Sequence, residues 1–285
     1  MDILVIGGAN LDIKAKCVGA HVAATSNISH ISTKPGGVAR NIAHNLAKLG
    51  MGVGLLSVVG KDAAGESLLQ ATAAAGVDIS ICYKAKGTTG TYLAFLDQNG
   101  ELITAANDMA IVNAITPDVI FANKAKIETA KFILADCNLS SETLNAIVKL
   151  AAHKLIIEPV SVEKSERLKL LLSLSSVFLA TPNRDQIEAL TGTRDATEAA
   201  KILQDQGLHN LVIHAGQLGA FVFDGNTITQ ISSKAKKVND VTGAGDAATA
   251  GLICGLIKGM PLVKACELGQ ELAAQVISTN VSTLE

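Results

Sequence analysis

The sequence predicts an α/β protein built on a doubly wound, mostly parallel sheet, with a small β-sheet beside it. The C-terminal two thirds of the chain alternates short aliphatic runs with amphipathic stretches, which is the rhythm of βαβ units. The aliphatic runs are continuously apolar, as in parallel strands that are covered on both faces. The N-terminal third breaks this rhythm with half-exposed strands and a hairpin signal. We therefore expect a single domain over residues 1–285, with the small sheet supplied by its N-terminal third.

The strands of the parallel sheet are predicted from their aliphatic composition. Residues 3–6 form a first strand, which no helix follows directly. Amphipathic stretches such as residues 141–153, whose apolar side chains share one face, predict helices between the later strands. These later strands are "KFILAD" (131–136), "KLIIEP" (154–159), "VFLATP" (177–182) and "LVIHAG" (211–216).

The small sheet is predicted from alternation. Residues 13–17 and 79–84 alternate apolar and polar side chains, and an Asn-Gly pair at 99–100 is a strong hairpin signal. Two stretches, about 13–34 and 78–96, therefore look inserted around helical segments. The sheet they form is either decoration or a lid that excludes water during catalysis.

Composition and charge argue against several classes of partner. Aromatic residues make up only 3% of the chain and Trp is absent, so stacking surfaces for single-stranded nucleic acid are scarce. The net charge of −2 is dispersed, which also argues against an anionic membrane. No apolar run approaches a membrane span or a signal peptide. The five cysteines form no C-x-x-C pair, which predicts free thiols and a cytoplasmic protein.

The stretch "NDVTGAGDAATAGL" (239–252) predicts a site for phosphate chemistry. A helix cap would explain Asp246 but not the glycines Gly243 and Gly245 that precede it. Glycines at a helix N-terminus leave backbone N–H groups free to hold an anion, while the carboxylate takes a proton from a nucleophile. The same residues match G-x-G-x-x-A, a weak dinucleotide signal this far from the N-terminus. No Walker sequence occurs anywhere in the chain.

A second glycine-rich turn predicts a sugar site. Gly36 and Gly37 lead into a helix that carries Asn41 in its first turn, while Asn10 and Asp12 follow the first strand. Ligands of open α/β sheets bind beyond the carboxyl ends of the strands, so these side chains should converge there. A carboxylate with an amide can bind vicinal hydroxyls, which need both donors and acceptors.

Taken together, these motifs resemble the ribokinase-like (PfkB) carbohydrate kinase family over essentially the whole chain. The resemblance implies a ribokinase-like fold and Mg²⁺- and ATP-dependent transfer of phosphate to a hydroxyl of a sugar or nucleoside. It also implies a homodimer formed through the lid. The matching motifs, in order, are G-G-x-x-x-D (7–12), P-G-G-x-A-x-N (35–41), "SVVGKDAAGESLL" (57–69), "PN" (182–183) and D-x-T-G-A-G-D (240–246).

The resemblance also implies a role for each candidate residue. Asp246 is the general base, and the N–H groups of Gly243, Ala244 and Gly245 stabilise the transferred phosphoryl group. Asp240 and Thr242 form part of a site for a monovalent cation such as K⁺. The substrate residues are Asn10, Asp12, Gly36, Gly37 and Asn41, and the nucleotide residues are Asn183, Gly216, Thr242, Gly243 and Gly245.

Within the family, four stretches are most similar to pseudouridine kinases: 89–102, 107–111, 158–164 and 182–192. This likeness implies phosphorylation of the 5′-hydroxyl of pseudouridine. It places Thr91 and Asn107 near the base or ribose, and Lys164 near the phosphates. The alternatives are a kinase of another nucleoside or of a simple sugar such as ribose or fructose, a catalytically silent nucleotide-binding protein, and, more distantly, a dehydrogenase.

One departure from the family bears on Mg²⁺. The family's N-x-x-E motif reads Asn183-Arg184-Asp185-Gln186 here, and glutamine offers no charged oxygen to a metal or its waters. Glu188 is the candidate substitute, although on a helix it faces another direction. This departure is what favours the catalytically silent alternative.

Overall fold

The structure is a computed structural model, which describes residues 1–235, 243–278 and 283–284. Two sets of strands, one large and one small, account for most of the β-structure. In chain order the strands are β1 (Ile3–Ile6), β2 (Asn10–Cys17), β3 (Ser29–Gly36), β4 (Val53–Leu56), β5 (Val58–Gly60), β6 (Tyr83–Ala85), β7 (Thr91–Leu96), β8 (Leu102–Asp108), β9 (Phe132–Asp136), β10 (Leu155–Glu158), β11 (Val177–Ala180), β12 (Leu208–His214), β13 (Ala220–Phe223) and β14 (Ile228–Ile231).

Helices cover both faces of the large sheet. They separate the strands in the alternating order that the sequence predicts for a doubly wound fold. Their bounds are α1 (Val38–Lys48), α2 (Ala63–Ala74), α3 (Pro117–Ala122), α4 (Lys124–Thr129), α5 (Ser141–Ala151), α6 (Val162–Leu172), α7 (Arg184–Thr191), α8 (Ala196–Asp205), α9 (Ala244–Ile257) and α10 (Leu262–Ile277).

The large sheet has eight strands in the order β14-β13-β12-β11-β10-β9-β1-β4. The six strands from β4 to β12 pair in parallel, and β13 and β14 add an antiparallel edge. Strand β1 shows why the runs are continuously apolar: Leu4 and Ile6 enter one core cluster, and Ile3 and Val5 enter the cluster on the opposite face. The predicted fold class is confirmed.

The small sheet has the order β3-β2-β7-β8 and differs from the predicted stretches in two places. It begins at Asn10, and β8 extends it to Asp108 through the predicted hairpin. Residues 79–84 contribute nothing to it, because β6 pairs with β5 instead. The reason is packing: side chains from both faces of this run pack against the core of the domain. Tyr83 packs against one core cluster and Cys82 against the other.

Helices α9 and α10 approach each other at two glycines. A Cβ atom on Gly251 would lie 2.7 Å from the Cα atom of Gly269, and a Cβ atom on Gly269 would lie 2.4 Å from the carbonyl oxygen of Ala248. Either side chain would force the helices apart, so the contact between them is backbone against backbone.

Within the described residues, no helix is long and apolar enough to cross a membrane.

Candidate active site

The carboxyl end of the large sheet faces a cavity of about 540 Å³, which we call the Asp12 cavity. Strands β2 and β8, the first turn of α1 and the start of α6 each contribute to its wall. Six of the side chains and backbone positions predicted to hold the substrate line it: Asn10, Asp12, Gly37, Asn41, Asn107 and Lys164.

Asp12 is held in place by its neighbours on the small sheet. The Nδ2 atom of Asn10 donates a hydrogen bond of 2.6 Å to its carboxylate, and burial raises the pKa of Asp12 above its usual range. Gly36 does not line the cavity, but a Cβ atom there would lie 2.3 Å from Asp12 Oδ2. Gly36 therefore makes room for the carboxylate. Thr91 lies outside the cavity wall, with its hydroxyl donating to the carbonyl oxygen of Thr89 at 3.1 Å.

Lys164, one of the predicted substrate residues, lines the wall of the Asp12 cavity, and its expected place near the phosphates stays a prediction. It lies in the first turn of α6, and its Nζ atom donates to the side-chain oxygen of Asn138 at 2.6 Å. Asn138 lines the same cavity. An ammonium group held there can donate a hydrogen bond to an oxygen atom of a ligand in this cavity.

The Asp246 carboxylate is joined to this cavity by one hydrogen bond. The Nδ2 atom of Asn41 donates to Asp246 Oδ2 at 2.9 Å. The pKa of Asp246 is raised to about 7, chiefly by burial and also by the nearby negative charges of Asp136 and Asp12, while the hydrogen bond from Asn41 opposes the shift. A carboxylate with a pKa near neutrality is well matched to taking up a proton, because general bases work best near the operating pH.

Helix α9 begins without a side-chain cap. Its N-cap residue is Gly243, which adopts a left-handed conformation with φ of 79°. Among the described residues, no side chain caps the N–H groups of this first turn, and such groups can donate hydrogen bonds to an anion, as at other helix N-termini. Asp246 lies in this same turn.

A second cavity, of about 230 Å³, adjoins this helix terminus, and we call it the Gly245 cavity. Ala244 and Gly245 line it together with Gly216, whereas Gly243 does not. Their role in nucleotide binding stays a prediction. His214 also contributes to its wall, and burial lowers the pKa of that imidazole to about 4, so the ring is neutral. Helix α10 adds four residues to the wall: Gln270, Ala273, Ala274 and Ile277.

Asn183 and Gln186 form a capping box at the start of α7. The Asn183 side chain accepts from the backbone N–H of Gln186 at 2.9 Å, and the Gln186 side chain accepts from the backbone N–H of Asn183 at 2.8 Å. Neither residue lines the Gly245 cavity, although the backbone of Asn183 bridges to His214, which does. Glutamine at 186 thus keeps the helix cap that a glutamate would also make.

The structure places Glu188 away from both cavities. Its carboxylate accepts a hydrogen bond of 2.6 Å from Arg194, and that guanidinium also pairs with Asp185. This placement gives no support to Glu188 as a metal ligand. The other predicted cation residues, Asp240 and Thr242, lie outside the described residues.

Two carboxylates at the strand ends, the buried Asp136 and the half-buried Glu158, were not among the predicted site residues. Asp136 ends β9 and accepts hydrogen bonds from the backbone N–H groups of Gly8 and Ala39, so it fixes the turn after β1 and the start of α1. Glu158 ends the neighbouring strand β10 in register with Asp136, and burial raises its pKa to about 8. The available signal was position, since each follows an aliphatic run at the carboxyl end of a parallel strand.

Val160 is the third feature that the sequence did not reveal. Its φ angle of 69° is uncommon for any residue with a Cβ atom and is an outlier for a β-branched one. It lines the Asp12 cavity in the turn between β10 and α6. Strained backbone of this kind concentrates at ligand sites, where the surrounding structure holds it in place.

Comparison with known proteins agrees with this geometry. The chain is 38% identical over 284 residues to a pseudouridine kinase of Escherichia coli strain K12, covering 97% of this chain and 90% of that protein. It is 27% identical to a guanosine-inosine kinase of Exiguobacterium acetylicum, covering 99% and 96%. The structure of Arabidopsis thaliana ribokinase complexed with ribose and ATP shares the fold, with a TM-score of 0.85 at 20% identity over 98% and 93% of the two chains.

A family model supplies the remaining comparison. Residues 1–283 match the model described as pfkB family carbohydrate kinase. Such kinases transfer phosphate from ATP to a hydroxyl group. The match and the relatives span the full set of motifs, from the turn after β1 to the first turn of α9. The chain therefore belongs to the pfkB family of carbohydrate kinases and is a phosphotransferase that acts on an alcohol.

Proposed function

We propose that this kinase phosphorylates the 5′-hydroxyl of pseudouridine to give pseudouridine 5′-phosphate, with ATP as donor. The observation that carries the proposal is the position of Asp246. Its carboxylate is hydrogen-bonded to Asn41 of the Asp12 cavity, while Ala244 and Gly245, just before it, line the other cavity. A hydroxyl in the first cavity and a phosphate in the second would meet at this carboxylate.

In the proposed reaction, Asp246 takes the proton of the acceptor hydroxyl as its oxygen forms a bond to the γ-phosphorus of ATP. The bond between that phosphorus and the bridging oxygen breaks, and the electron pair leaves with ADP. Negative charge on the transferred phosphoryl oxygens is held by the backbone N–H groups of Gly243, Ala244 and Gly245. Asn10 and Asp12 orient the acceptor, so that only one hydroxyl reaches Asp246.

The chemistry of the Asp12 cavity supports a nucleoside acceptor. Besides Asn41, the side chains of Asn10, Asn107 and Asn138 bring three amides to its wall, and an amide can both donate and accept, as a ribose and a uracil-type base both require. Tyr92 is the aromatic side chain in that wall. A hydrogen-bonded base suits this lining better than a stacked one. The 38% identity to a pseudouridine kinase supports the particular nucleoside.

A second candidate acceptor is another nucleoside, which the similarity to a guanosine-inosine kinase favours. A panel of acceptors separates the candidates: ADP formation is measured with pseudouridine, uridine, cytidine, inosine, guanosine, ribose and fructose at equal concentration. We expect pseudouridine to give the highest kcat/KM. A higher value for any other member would reassign the acceptor, and ATP binding without turnover on any member would favour the catalytically silent alternative.

Mg²⁺ is expected with ATP, where it would neutralise part of the phosphate charge. Within the described residues, no group of three or more His, Cys, Asp or Glu side chains could hold a metal by itself. This fits the usual binding of Mg²⁺ through substrate phosphates plus one or two carboxylates. Glu158 is a half-buried carboxylate whose pKa is raised chiefly by burial and partly by the negative charge of Asp246, and it is the residue that we expect to contribute. The K⁺ site at Asp240 and Thr242 stays a prediction.

The small sheet is proposed to act as a lid. It carries Asn10, Asp12 and Asn107 into the Asp12 cavity, so an acceptor bound there would hold the sheet against the body. We expect backbone amides of β2 and β7 to exchange more slowly with saturating pseudouridine, and those of β9 to change less. Unchanged exchange in β2 and β7 would leave the sheet as decoration.

The outer face of the small sheet is proposed to join two copies of the chain. Ile31 and Leu93 lie on the same face, because they align with Ala15 and Ile13 of β2, and they are 71% and 40% exposed. Exposed apolar side chains grouped on one face favour association. Light scattering gives the mass in solution, and a monomer at micromolar concentration would contradict the proposed homodimer.

The rate of phosphate transfer should depend on pH through Asp246. The pKa of Asp246 is raised to about 7 by burial, and only the ionised carboxylate can accept the acceptor's proton. The ionised fraction falls as pH drops, so kcat/KM for the acceptor should fall about tenfold for each unit below pH 7. A profile that stays flat from pH 8 down to pH 5 would contradict the assignment of Asp246 as the base.

A further inference from the structure

Arg40 is almost fully buried, at 3% exposure, yet it lines neither cavity. Burial lowers its pKa to about 10, so the guanidinium stays protonated at neutral pH. Its N–H groups donate to three side chains: Thr72 Oγ1 at 3.2 Å, Asn41 Oδ1 at 3.1 Å and His44 Nδ1 at 3.1 Å. A buried arginine with this set of partners holds neighbouring groups in one arrangement, because its planar fork fixes several donor directions at once.

The contact with Asn41 determines which way round its amide lies. An asparagine amide has a donor end and an acceptor end of nearly the same shape. Only the donor end can face Asp246, because two acceptor oxygens would repel each other. Arg40 has donors and no acceptor, so it binds the oxygen end and leaves the nitrogen end for Asp246 Oδ2 at 2.9 Å.

His44 holds Arg40 from the other side. Because arginine only donates, His44 Nδ1 must accept from it, and the ring proton is then on Nε2. Nε2 in turn donates to the carbonyl oxygen of Leu284 at 2.8 Å. Burial lowers the pKa of His44, in agreement with this neutral form. Leu284 is also held by its N–H, which donates to Asn45 Oδ1 at 2.8 Å.

We propose that Arg40 is a positioning residue, which orients the Asn41 amide so that it donates to Asp246, and that His44 holds Arg40 in place for this purpose. The proposal rests on the role of Asp246 as the base. Without Arg40 the amide could rotate, and the carboxylate would lose its hydrogen bond. The protonated form of Asp246 would then be favoured, so a smaller fraction of the carboxylate would be ionised at neutral pH.

An effect through Asn41 must be distinguished from an effect of the Arg40 charge. The charged groups that act on Asp246 are Asp136 at the end of β9 and Asp12 on β2, and Glu158 at the end of β10 is coupled to it as well. Removing a cation near these carboxylates could raise the pKa of Asp246 without any change at Asn41. A double-mutant cycle separates the two, because an effect transmitted by Asn41 disappears when Asn41 is absent.

The experiment compares Arg40→Met, Asn41→Ala and the double variant in the full chain. The pKa of Asp246 is followed by carboxyl ¹³C NMR, with the signal assigned by its loss in Asp246→Asn. We expect Arg40→Met to raise this pKa by about one unit, the size of one hydrogen bond to a charged group. The double variant should show no higher pKa than Asn41→Ala alone.

Two results would overturn the proposal: an unchanged Asp246 pKa in Arg40→Met, or a shift that adds in full to that of Asn41→Ala. Because the titration needs no turnover, it gives an answer even if Asp246→Asn proves active and the assigned base is wrong. In that case Arg40 would still be shown to orient Asn41 toward Asp246, but this orientation would have no role in catalysis.

A second pair of variants covers the case in which Arg40→Met does not fold. His44→Phe removes the outer partner of Arg40, whereas His44→Gln keeps an acceptor for Arg40 and a donor for Leu284. We expect the Asp246 pKa to rise in His44→Phe, by less than in Asn41→Ala, and to return near the wild-type value in His44→Gln. Equal values in the two His44 variants would overturn the proposed hold of His44 on Arg40.

Discussion

Replacing Asp246 by asparagine should lower kcat by about 10²–10⁴-fold while leaving the fold intact. Asparagine is nearly the same size and can remain in the first turn of α9, but it cannot take up the proton of the acceptor. The measurement is ADP formation with saturating acceptor and ATP, together with the melting temperature. The loss should appear in kcat, because a proton transfer occurs only in the chemical step.

A matched control is Asp185→Asn. Asp185 also lies in the first turn of a helix, α7, but it is exposed and pairs with Arg194. Its replacement should change kcat less than twofold, because an exposed ion pair contributes about 0–1 kcal/mol to stability and nothing to the chemistry. Half the wild-type rate in Asp246→Asn would show that another group, or solvent, accepts the proton.

The second large effect is expected for Asp12→Ala, which should lower kcat/KM for the acceptor by about 10- to 150-fold. The estimate follows from the loss of a hydrogen bond to a charged group, worth about 1.5–3 kcal/mol. The dissociation constant of ATP should change little, because Asp12 lines only the Asp12 cavity. Acceptor kinetics at saturating ATP and a separate ATP-binding measurement test both statements.

The control for Asp12 is Asp108→Ala, on strand β8 of the same small sheet. Asp108 is exposed, and its carboxylate contacts only the backbone N–H of Ala110 among its described hydrogen bonds, at 3.3 Å. Its replacement should leave acceptor kcat/KM within about twofold of wild type, as surface substitutions usually do. If Asp12→Ala weakened acceptor and ATP to the same extent, damage to the fold would explain both losses and the sugar-site assignment would fail.

The parts of the site that could be predicted are those whose residues lie close together in the sequence. Gly36, Gly37 and Asn41 lie in one short segment, and Gly243, Gly245 and Asp246 in another, so their conformational and chemical requirements can be read together. The aliphatic runs predicted the sheet for the same reason, because burial on both faces leaves a mark on every residue of a strand.

The parts that could not be predicted depend on long-range contacts. Asp136 meets the N–H of Gly8 across 128 residues, and nothing local to either indicates the other. Arg40 looks like a solvent-facing helix residue until Thr72 and His44 are placed beside it. Residues 79–84 alternate like a half-exposed strand, but their side chains enter two different core clusters. Partner choice in these cases is decided by packing in three dimensions.

The glycine contact between α9 and α10 bears on how such an enzyme can diverge. Gly251 and Gly269 leave no space for a side chain, so the helix that carries Asp246 and the helix that walls the Gly245 cavity are coupled as one unit. The Asp12 cavity is walled mainly by other elements, the small sheet and the turn before α6. Selection for a new acceptor can therefore act on those elements one residue at a time, while the phosphate-handling unit is inherited unchanged.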